Sequence, residues 1–445
     1  MVWLLIVALP FVPFAIALFF CEPVLLALAA VGVTMVASER TITAVNVMGF
    51  NILDSLIVAM IPVTLMRLSG VRERLYRKNV TLAWMLWVLG MLAGVGMITG
   101  QFADAPLRSA LRDFRFYAYL LVTFHFAATL DNRRALRMLA LGWGVFALLQ
   151  LWMISQRWLI YNVDEAGTAV FGEYVFDSAT HFLPVKSVAP LFLALGLLII
   201  AGRRLKWMSR LFLSAVVAGQ LMIVSFTYSR SLYIATAAAV LALVLLSLRS
   251  FGSDLLAWVR AFAVSAALAV LLVASTSIFA AGSWQIEEAI AAIQNRAASA
   301  FDTDSSIDER RYGMSLAAER VREHPIVGTG LGSGSDYWAA TEFHNSYLWM
   351  ARSIGAPAAV IFILTIALCS MSAWIDFGRS RLDDLERGLW AGFAACFAAL
   401  VTIAAGQPAI TNITYLVEWG LLIGLLSSMS QRSASAGEER RRVSG

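Results

Sequence analysis

Long apolar runs recur along almost the whole sequence, and this repetition constrains the fold more than any other feature. About 20 apolar residues in a helix cross the ~30 Å hydrocarbon core of a bilayer. Spans are predicted at about 3–20, 23–37, 44–66, 80–99, 115–130, 135–154, 186–201, 211–227, 231–248, 255–281, 345–374, 387–405 and 411–429. The first two, split by Cys21-Glu22-Pro23, are either two tilted helices or one broken span, so 12 or 13 spans are predicted.

The composition excludes a soluble protein. Hydrophobic residues make up 60% of the chain and charged residues 14%, whereas soluble domains average ~45–50% and ~25%. The predicted fold class is therefore all-α, a polytopic helical membrane protein. Residues 2–20 lack the basic start and small-residue cleavage site of a signal peptide. The three cysteines lie in or beside apolar runs and are interpreted as core residues.

The charges of the connecting segments predict the orientation. Arginine and lysine dominate 67–78, 131–137 and 203–210, whereas acids outnumber bases in 155–185 and 282–343. Because cytoplasmic loops of membrane proteins are enriched in Lys and Arg, the basic segments are predicted to be cytoplasmic and the two long loops external. The predicted regions are an N-terminal bundle (1–281), a large external loop (282–343), C-terminal membrane helices (344–430) and a cytoplasmic tail (431–445).

The large external loop is predicted to be partly helical. Apolar residues at helical spacing predict a surface helix over 284–300, and a second helix is predicted over 306–323, ended by His324-Pro325. Four alternating glycines from Gly328 to Gly334 then predict a flexible turn whose backbone approaches something closely. No Walker lysine follows these glycines and no metal-ligand spacing is present in the sequence, so neither a metal nor another cofactor is predicted.

His344 is the candidate general base. It follows the glycine turn at the outer end of a predicted span and is joined to Asn345, a candidate substrate contact. Histidine, with an unperturbed pKa of ~6.5, is suited to accepting a proton near neutral pH. His125 is interpreted as a core residue and His324 as a helix-end residue, while His181, in the acidic loop, is a further candidate substrate contact.

Three arginines near the predicted outer surface are candidate phosphate ligands. Arg230 lies in a short turn between two spans, close to hydrocarbon, where a charge is costly and indicates function; the alternative is snorkelling to lipid headgroups. Tyr228, in the same turn, is a further candidate contact. Arg310 and Arg311 open the second loop helix. The planar guanidinium binds phosphate oxygens in pairs and stays charged, so these residues could clamp a diphosphate.

These motifs together resemble the O-antigen ligase and O-antigen polymerase family of bacterial envelopes. The resemblance covers about 225–360 and includes the Ser-Arg turn at Arg230, Arg310, His324-Pro325-x-x-Gly328-x-Gly330, His344-Asn345-Ser-Tyr-Leu and Gly355. Met314 and Ile354 depart from the family pattern, in which a tryptophan and an acidic residue are common. The second departure leaves open which group polarises the site.

The resemblance implies a metal-independent, inverting membrane glycosyltransferase of the GT-C type in the bacterial inner membrane, with its active site facing the periplasm. Its implied donor is a glycan on undecaprenyl diphosphate, and its acceptor a lipid-linked glycan or a lipid A core sugar. His344 would be the catalytic base, and Arg230 and Arg310 would bind the diphosphate. Membrane lipids and a chain-length regulator are further candidate partners; nucleic acid is not.

The predicted function is a polymerase that joins lipid-linked repeat units for O-antigen, capsule or exopolysaccharide. An O-antigen ligase is the alternative within the family, because the shared motifs describe the donor and the base rather than the acceptor. A transporter of lipid-linked sugars is the alternative from another class, but transporters place charges near the membrane midplane, whereas these candidates gather at one face. A non-catalytic envelope scaffold is a third.

Overall fold

A computed structural model of the chain describes residues 22–36, 46–47, 50–78, 80–120, 122–130, 133–158, 162–163, 169–171, 174–176, 188–202, 204–226, 230–251, 263, 305–333, 345–379, 383–406 and 415–425. For some of these residues, including 225, 226, 230 and 305–310, it describes the backbone alone. The predicted spans 3–20 and 255–281 and the predicted helix 284–300 lie outside the described residues, apart from Ala263.

The described part of the chain is all-α, as predicted, with two very small sheets. The helices are α1 (Val24–Val36), α2 (Ile52–Lys78), α3 (Val80–Phe102), α4 (Leu107–Leu120), α5 (Val122–Thr129), α6 (Arg133–Trp158), α7 (Ala189–Gly196), α8 (Trp207–Phe226), α9 (Arg230–Phe251), α10 (Ser305–Glu323), α11 (Ser346–Ile354), α12 (Ala356–Arg379), α13 (Asp384–Gly406) and α14 (Tyr415–Leu425). A π-helical turn, Leu197–Ala201, extends α7.

Five short strands, which were not predicted, lie between helices. The strands β1 (Asn46–Val47) and β2 (Phe50–Asn51) form an antiparallel pair before α2. The strands β3 (Asn162–Val163), β4 (Ala169–Phe171) and β5 (Tyr174–Phe176) form an antiparallel sheet in order β3-β4-β5. This second sheet lies within the predicted external loop 155–185.

Six helices among the described residues are long and apolar enough to cross a membrane, within α3, α6, α8, α9, α12 and α13. Four shorter apolar helices accompany them: α1, the first half of α2, α7 with its π-helical extension, and α14. Three span predictions are wrong in detail. The predicted span 44–66 begins with the strands β1 and β2, and its helix, α2, starts only at Ile52. The predicted span 115–130 is divided between α4, a helix with several charged side chains that begins eight residues earlier, and the short, buried α5.

The predicted span 345–374 is also divided, at Gly355. This residue has φ +93° and separates the nine-residue α11 from the membrane-length α12. An L side chain rarely adopts this backbone conformation, and a Cβ here would collide with the Ile326 carbonyl. His344 therefore does not precede a continuous span: the residue after it, Asn345, is the N-cap of a short, mostly buried helix.

The core lies where α14 meets its neighbours. Every residue of α14 from Tyr415 to Leu425 is buried, and Trp419 packs edge-on against Phe362 of α12 and Phe397 of α13 at ring distances of 5.3 and 5.4 Å. His125 of α5 is buried, as predicted, with Thr64 Oγ1 and the Pro23 carbonyl within 3.0 and 3.3 Å of its two ring nitrogens. This histidine is a core residue.

The helices run between two distinct ends of the bundle. At the first, called the site end below, α13 finishes at Gly406 beside Ser231, so α9 begins there and runs antiparallel to α13. At the opposite end, Arg204 pairs with Asp384 at the start of α13, and Arg134 with Glu22 at the start of α6, both at 2.8 Å. The basic segments 131–137 and 203–210 thus share one end, as the loop charges predict.

Candidate functional site

Asn345 fixes the first turn of α11. Its extended backbone and side chain form an N-cap, in which Oδ1 accepts hydrogen bonds from the N–H groups of Tyr347 and Leu348, both at 3.0 Å. Asparagine is among the preferred N-caps because its side-chain oxygen satisfies otherwise unpaired amides of the first turn. Asn345 was predicted as a substrate contact, but its acceptor oxygen is used by the protein's own helix.

The same asparagine ties α11 to the end of α13. Its Nδ2 donates to the Ala405 carbonyl at 3.1 Å, and Tyr347 Oη donates to the Val401 carbonyl at 3.1 Å. Gly406, the next residue of α13, lies beside Ser231, and a Cβ added there would be 3.9 Å from the Ser231 Cβ. The residue that follows His344 and the residue that follows Arg230 therefore flank the same helix end.

Helix α10 confirms the predicted helix over 306–323 and distinguishes the two candidate arginines in its first half, at positions 310 and 311. Gly313 and Ala317 are buried, and Met314 and Val321 are partly buried. Position 310 lies on this inward-packed face, because it precedes Gly313 by three residues, Met314 by four and Ala317 by seven. Arg311 is exposed. Helix α10 packs against α11, so position 310 and position 311 lie on different faces of α10.

The glycine-rich segment after α10 is a packed connection rather than a flexible turn. The N–H groups of Thr329 and Gly330 donate to the Arg352 and Ser353 carbonyls at the end of α11, at 2.7 and 3.1 Å. Leu331 N–H donates to the Gly96 carbonyl of α3 at 2.8 Å. The prediction of a close approach is confirmed, and the segment approaches the chain's own backbone.

Gly330 shows why glycine is required in this segment. Its φ is +90°, and a Cβ would collide with the Gly100 amide of α3. Both the backbone conformation and the space exclude a larger residue. The segment thereby fastens the end of α3 to the end of α11.

Asp113 of α4 and Arg352 of α11 are two charged residues that the sequence analysis missed. Asp113 Oδ2 accepts the Gly332 N–H at 3.0 Å, and the Arg352 side chain is buried, 6% exposed. Burial raises the pKa of the Asp113 carboxyl, while the Gly332 amide and the charges of Arg112 and Arg352 oppose that rise. Arg352 could have been found from the sequence, because it is a single charged residue among the apolar residues Trp349, Met350 and Ile354.

Helix α4 also contacts α11 directly. The rings of Tyr117 and Trp349 are stacked, 6.0 Å apart with an interplanar angle of 14°. Trp349 N–H donates to the Asn345 carbonyl at 3.0 Å, so this stack lies one turn from the start of α11. Helix α4, the glycine-rich segment and α11 form one connected unit at the site end.

Of the predicted site residues, the structure gives side chains for Asn345 and Arg311 and the backbone for Arg230 and Arg310. His344, His181 and Tyr228 lie outside the described residues. The arrangement places the start of α9 and the start of α11 around the end of α13, with α10 against α11. The described residues include no group of three or more His, Cys, Asp or Glu side chains that could hold a metal.

This architecture defines a polytopic helical membrane protein whose candidate site is assembled at one end of the bundle. Residues 214–363, about a third of the chain, match the family model described as O-antigen ligase. The match confirms the resemblance to the O-antigen ligase and polymerase family, and it indicates a membrane glycan enzyme with glycosyltransferase-like activity. It extends from α8 to the first third of α12 and includes α9, α10 and α11. No curated protein matches the chain.

Proposed function

We propose that this protein is a polysaccharide polymerase, a membrane glycosyltransferase that joins undecaprenyl-diphosphate-linked oligosaccharide units at the periplasmic face of the bacterial inner membrane. The product would be O-antigen, capsule or exopolysaccharide. The observation that carries the proposal is the meeting of three helix ends, two of which, the starts of α9 and α11, lie within the family match. The N-cap of α11 is bonded to the end of α13, and the end of α13 lies beside the first turn of α9.

His344 is the proposed base. It directly precedes Asn345, whose bonds to the first turn of α11 and to Ala405 restrict the backbone on one side of the histidine. The neutral imidazole takes the proton of an acceptor hydroxyl as that oxygen attacks the anomeric carbon of the donor. Positioned bases of this kind contribute ~10²–10⁴-fold to rates.

Arg230 and Arg310 are the proposed ligands of the leaving diphosphate. The bond from the anomeric carbon to the diphosphate oxygen breaks as the new glycosidic bond forms, with inversion, and the negative charge grows on the diphosphate. Fixed cations stabilise such a developing charge. Arg230 is the first residue of α9, where the helix dipole adds positive potential, and position 310 lies on the face of α10 that packs inward.

The central test is transfer by purified protein from a polyprenyl-diphosphate-linked glycan. The native protein should extend a lipid-linked acceptor, and His344→Gln should lower the transfer rate at least ~100-fold while donor binding, measured separately, is retained. Arg311→Gln is the matched control, because Arg311 is exposed on α10. If His344→Gln retains most of the transfer rate, the base assignment is wrong.

The acceptor distinguishes polymerase from ligase in the same assay. Extension of a second lipid-linked unit is expected for the polymerase, whereas transfer to lipid A core alone would identify a ligase. Donor that is moved across the bilayer without any transfer would identify a transporter.

The periplasmic assignment has its own test. In a variant lacking the native cysteines, a cysteine at position 299 should react with a membrane-impermeant reagent from the periplasm, while one at position 209 should not. Labelling of both positions from one side would contradict the proposed orientation.

A further inference from the structure

Helix α4 carries a row of arginines that the proposed chemistry does not use. Arg108, Arg112 and Arg115 follow one another at spacings of four and three residues, so they share one stripe of the helix. Arg108 and Arg112 are exposed, while Arg115 is partly buried and its Nε lies 3.3 Å from Asp54 Oδ1. The exposed pair, Arg108 and Arg112, is called the α4 cationic stripe below.

The distribution of charge makes this stripe unusual. It lies at the site end, because α4 packs on the glycine-rich segment and α11, whereas the basic segments lie at the opposite end. If the site end is external, as proposed, arginines here run against the bias that sets membrane orientation. Orientation therefore does not explain these arginines.

The surroundings of the stripe match a lipid that carries phosphate. Leu107 and Leu111, each one position before an arginine of the stripe, are exposed and form a parallel apolar row, and Phe102 at the end of α3 is 87% exposed. A helix with adjoining basic and apolar rows lies in the membrane interface. Guanidinium groups there bind phosphate oxygens while the apolar row contacts the lipid chain.

The stripe is on a helix whose position in the bundle is fixed by side-chain contacts. Arg115 is anchored to Asp54, which also accepts a hydrogen bond from Tyr119 Oη at 2.6 Å. Arg112 Nε lies 3.5 Å from Asp113 Oδ1, and its side chain remains 62% exposed. A guanidinium has five N–H donors, so Arg112 keeps donors for a ligand.

The distance along α4 between the cationic stripe and Tyr117 fits the diphosphate of an acceptor rather than that of the donor. Tyr117 stacks on Trp349, one turn from the start of α11, and Arg112 and Arg108 precede Tyr117 by five and nine residues. At 1.5 Å per residue the stripe is offset by roughly 7–14 Å along the helix. In the proposed reaction the attacking hydroxyl is at the non-reducing end of the acceptor, one oligosaccharide unit away from the acceptor's own diphosphate.

We infer that the α4 cationic stripe binds the diphosphate of the lipid-linked acceptor, as a second phosphate site separate from that of the donor. This inference rests on the proposed function, since a reaction between two lipid-linked glycans needs two such sites. Arg108 and Arg112 bind the phosphate oxygens, and Leu107 and Leu111 contact the first part of the polyprenyl chain.

The test counts bound lipids by native mass spectrometry of the full-length protein with undecaprenyl diphosphate as the probe. The native protein should bind two equivalents, and the double variant Arg108→Gln/Arg112→Gln one. The matched control is Arg320→Gln/Arg322→Gln, which removes two exposed arginines from the last turn of α10 and should still bind two. Arg230→Gln/Arg310→Gln should retain the equivalent on α4.

Two results would overturn the inference. One is retention of both equivalents by Arg108→Gln/Arg112→Gln. The other is displacement of the second equivalent by phosphatidylglycerol at equal concentration, which would identify an ordinary headgroup contact.

In transfer assays, the double variant should have an acceptor KM at least roughly tenfold higher than that of the native protein, with the donor KM unchanged. Hydrogen bonds to charged groups of this kind are each worth a factor of ten or more in affinity.

Failure of the inference is distinguishable from failure of the proposed function. If the native protein transfers no glycan but the double variant binds one equivalent fewer than the native protein, the polymerase assignment is wrong and the second phosphate site is supported. If the native protein transfers glycan and the double variant has the same acceptor KM as the native protein, only the second phosphate site is contradicted.

Discussion

The two ends of the bundle are built with different interactions. At the site end, helices are joined by backbone hydrogen bonds and close backbone contacts, as where Leu331 N–H reaches the Gly96 carbonyl and Gly330 lies against Gly100. At the opposite end, the described contacts include ion pairs whose arginines, Arg134 and Arg204, are each 75% exposed. Close backbone contacts join the helices at the site end, whereas the ion pairs described at the opposite end are largely exposed.

The difference reflects what each end has to do. Substrate groups at a catalytic site must be held within fractions of an ångström, and backbone contacts supply that precision. Orientation in a membrane needs only an excess of Lys and Arg on one side, without a fixed geometry. The comparison predicts that equal substitutions at the two ends have very unequal effects.

The largest difference is expected for arginine-to-lysine substitutions. Arg230→Lys and Arg310→Lys should each lower the transfer rate at least ~100-fold, because lysine keeps the charge but cannot reproduce the planar, paired donors. Arg134→Lys and Arg204→Lys, at the opposite end, are the matched controls and should retain the native rate. Transfer by purified variants measures both. Near-native rates for both site-end variants would reduce Arg230 and Arg310 to surface charges.

The next effect concerns folding stability rather than transfer. Gly330→Ala requires a strained positive φ and a collision with Gly100, so it should lower the free energy of unfolding by at least about 1–3 kcal/mol. Gly90→Ala and Gly94→Ala of α3 are controls, because a Cβ at either position would meet nothing within 4 Å. Thermal unfolding in detergent compares them. Equal stability of Gly330→Ala and Gly90→Ala would show that the segment is not a packed connection.

Much of the bundle could be predicted from the sequence, because span length and loop charge are physical requirements of the bilayer. The all-α class and the shared end of the basic segments were predicted in this way. The loop helix now seen as α10 was predicted from residues that start and stop helices. The break at Gly355 and the polar helix α4 were not. Both depend on contacts with distant residues, such as Ile326 at Gly355 and Gly332 at Asp113, and hydropathy over a single window contains no such information.

The candidate site was predictable in part. The motif around Asn345 identified the correct helix start, but not that its oxygen caps α11 or that its amide reaches Ala405. The glycines were interpreted as flexible because glycine permits motion, whereas here glycine permits tight packing. The roles of His344, Arg230 and Arg310 remain predictions that the experiments above test.

A smaller effect is expected at Asp113, whose buried carboxyl accepts the Gly332 N–H. Asp113→Ala leaves that amide without its acceptor and should cost about 1–3 kcal/mol, while Asp113→Asn keeps an acceptor oxygen and should cost less. Burial raises the pKa of this carboxyl in the folded protein. The native state therefore binds the proton more tightly than the unfolded state, so this group's contribution to stability is largest at low pH and is lost as pH rises through the raised pKa.

This pH dependence can be measured by comparing the native protein with Asp113→Asn, because the titrations of all other groups cancel in the difference. The difference in unfolding free energy between the native protein and Asp113→Asn should move in favour of the native protein as pH falls from 7 toward 4. A difference that is independent of pH would contradict the raised pKa, and a move in the other direction would indicate a carboxylate stabilised in its charged form.

The smallest effect is expected at the ion pair between Arg204 and Asp384. Although its atoms are 2.8 Å apart, the arginine side chain is 75% exposed, so water and salt screen the attraction and the long side chain loses entropy when it is held in place. Arg204→Ala should cost less than about 1 kcal/mol, and that cost should shrink further at 1 M salt. The orientation of the chain should not change, because Arg203, Lys206 and Arg210 remain in the same segment. Unfolding measurements at low and high salt, with Gly330→Ala alongside, test this. If Arg204→Ala costs as much as Gly330→Ala, then the opposite end is also fixed by its contacts, and the contrast between the two ends is lost.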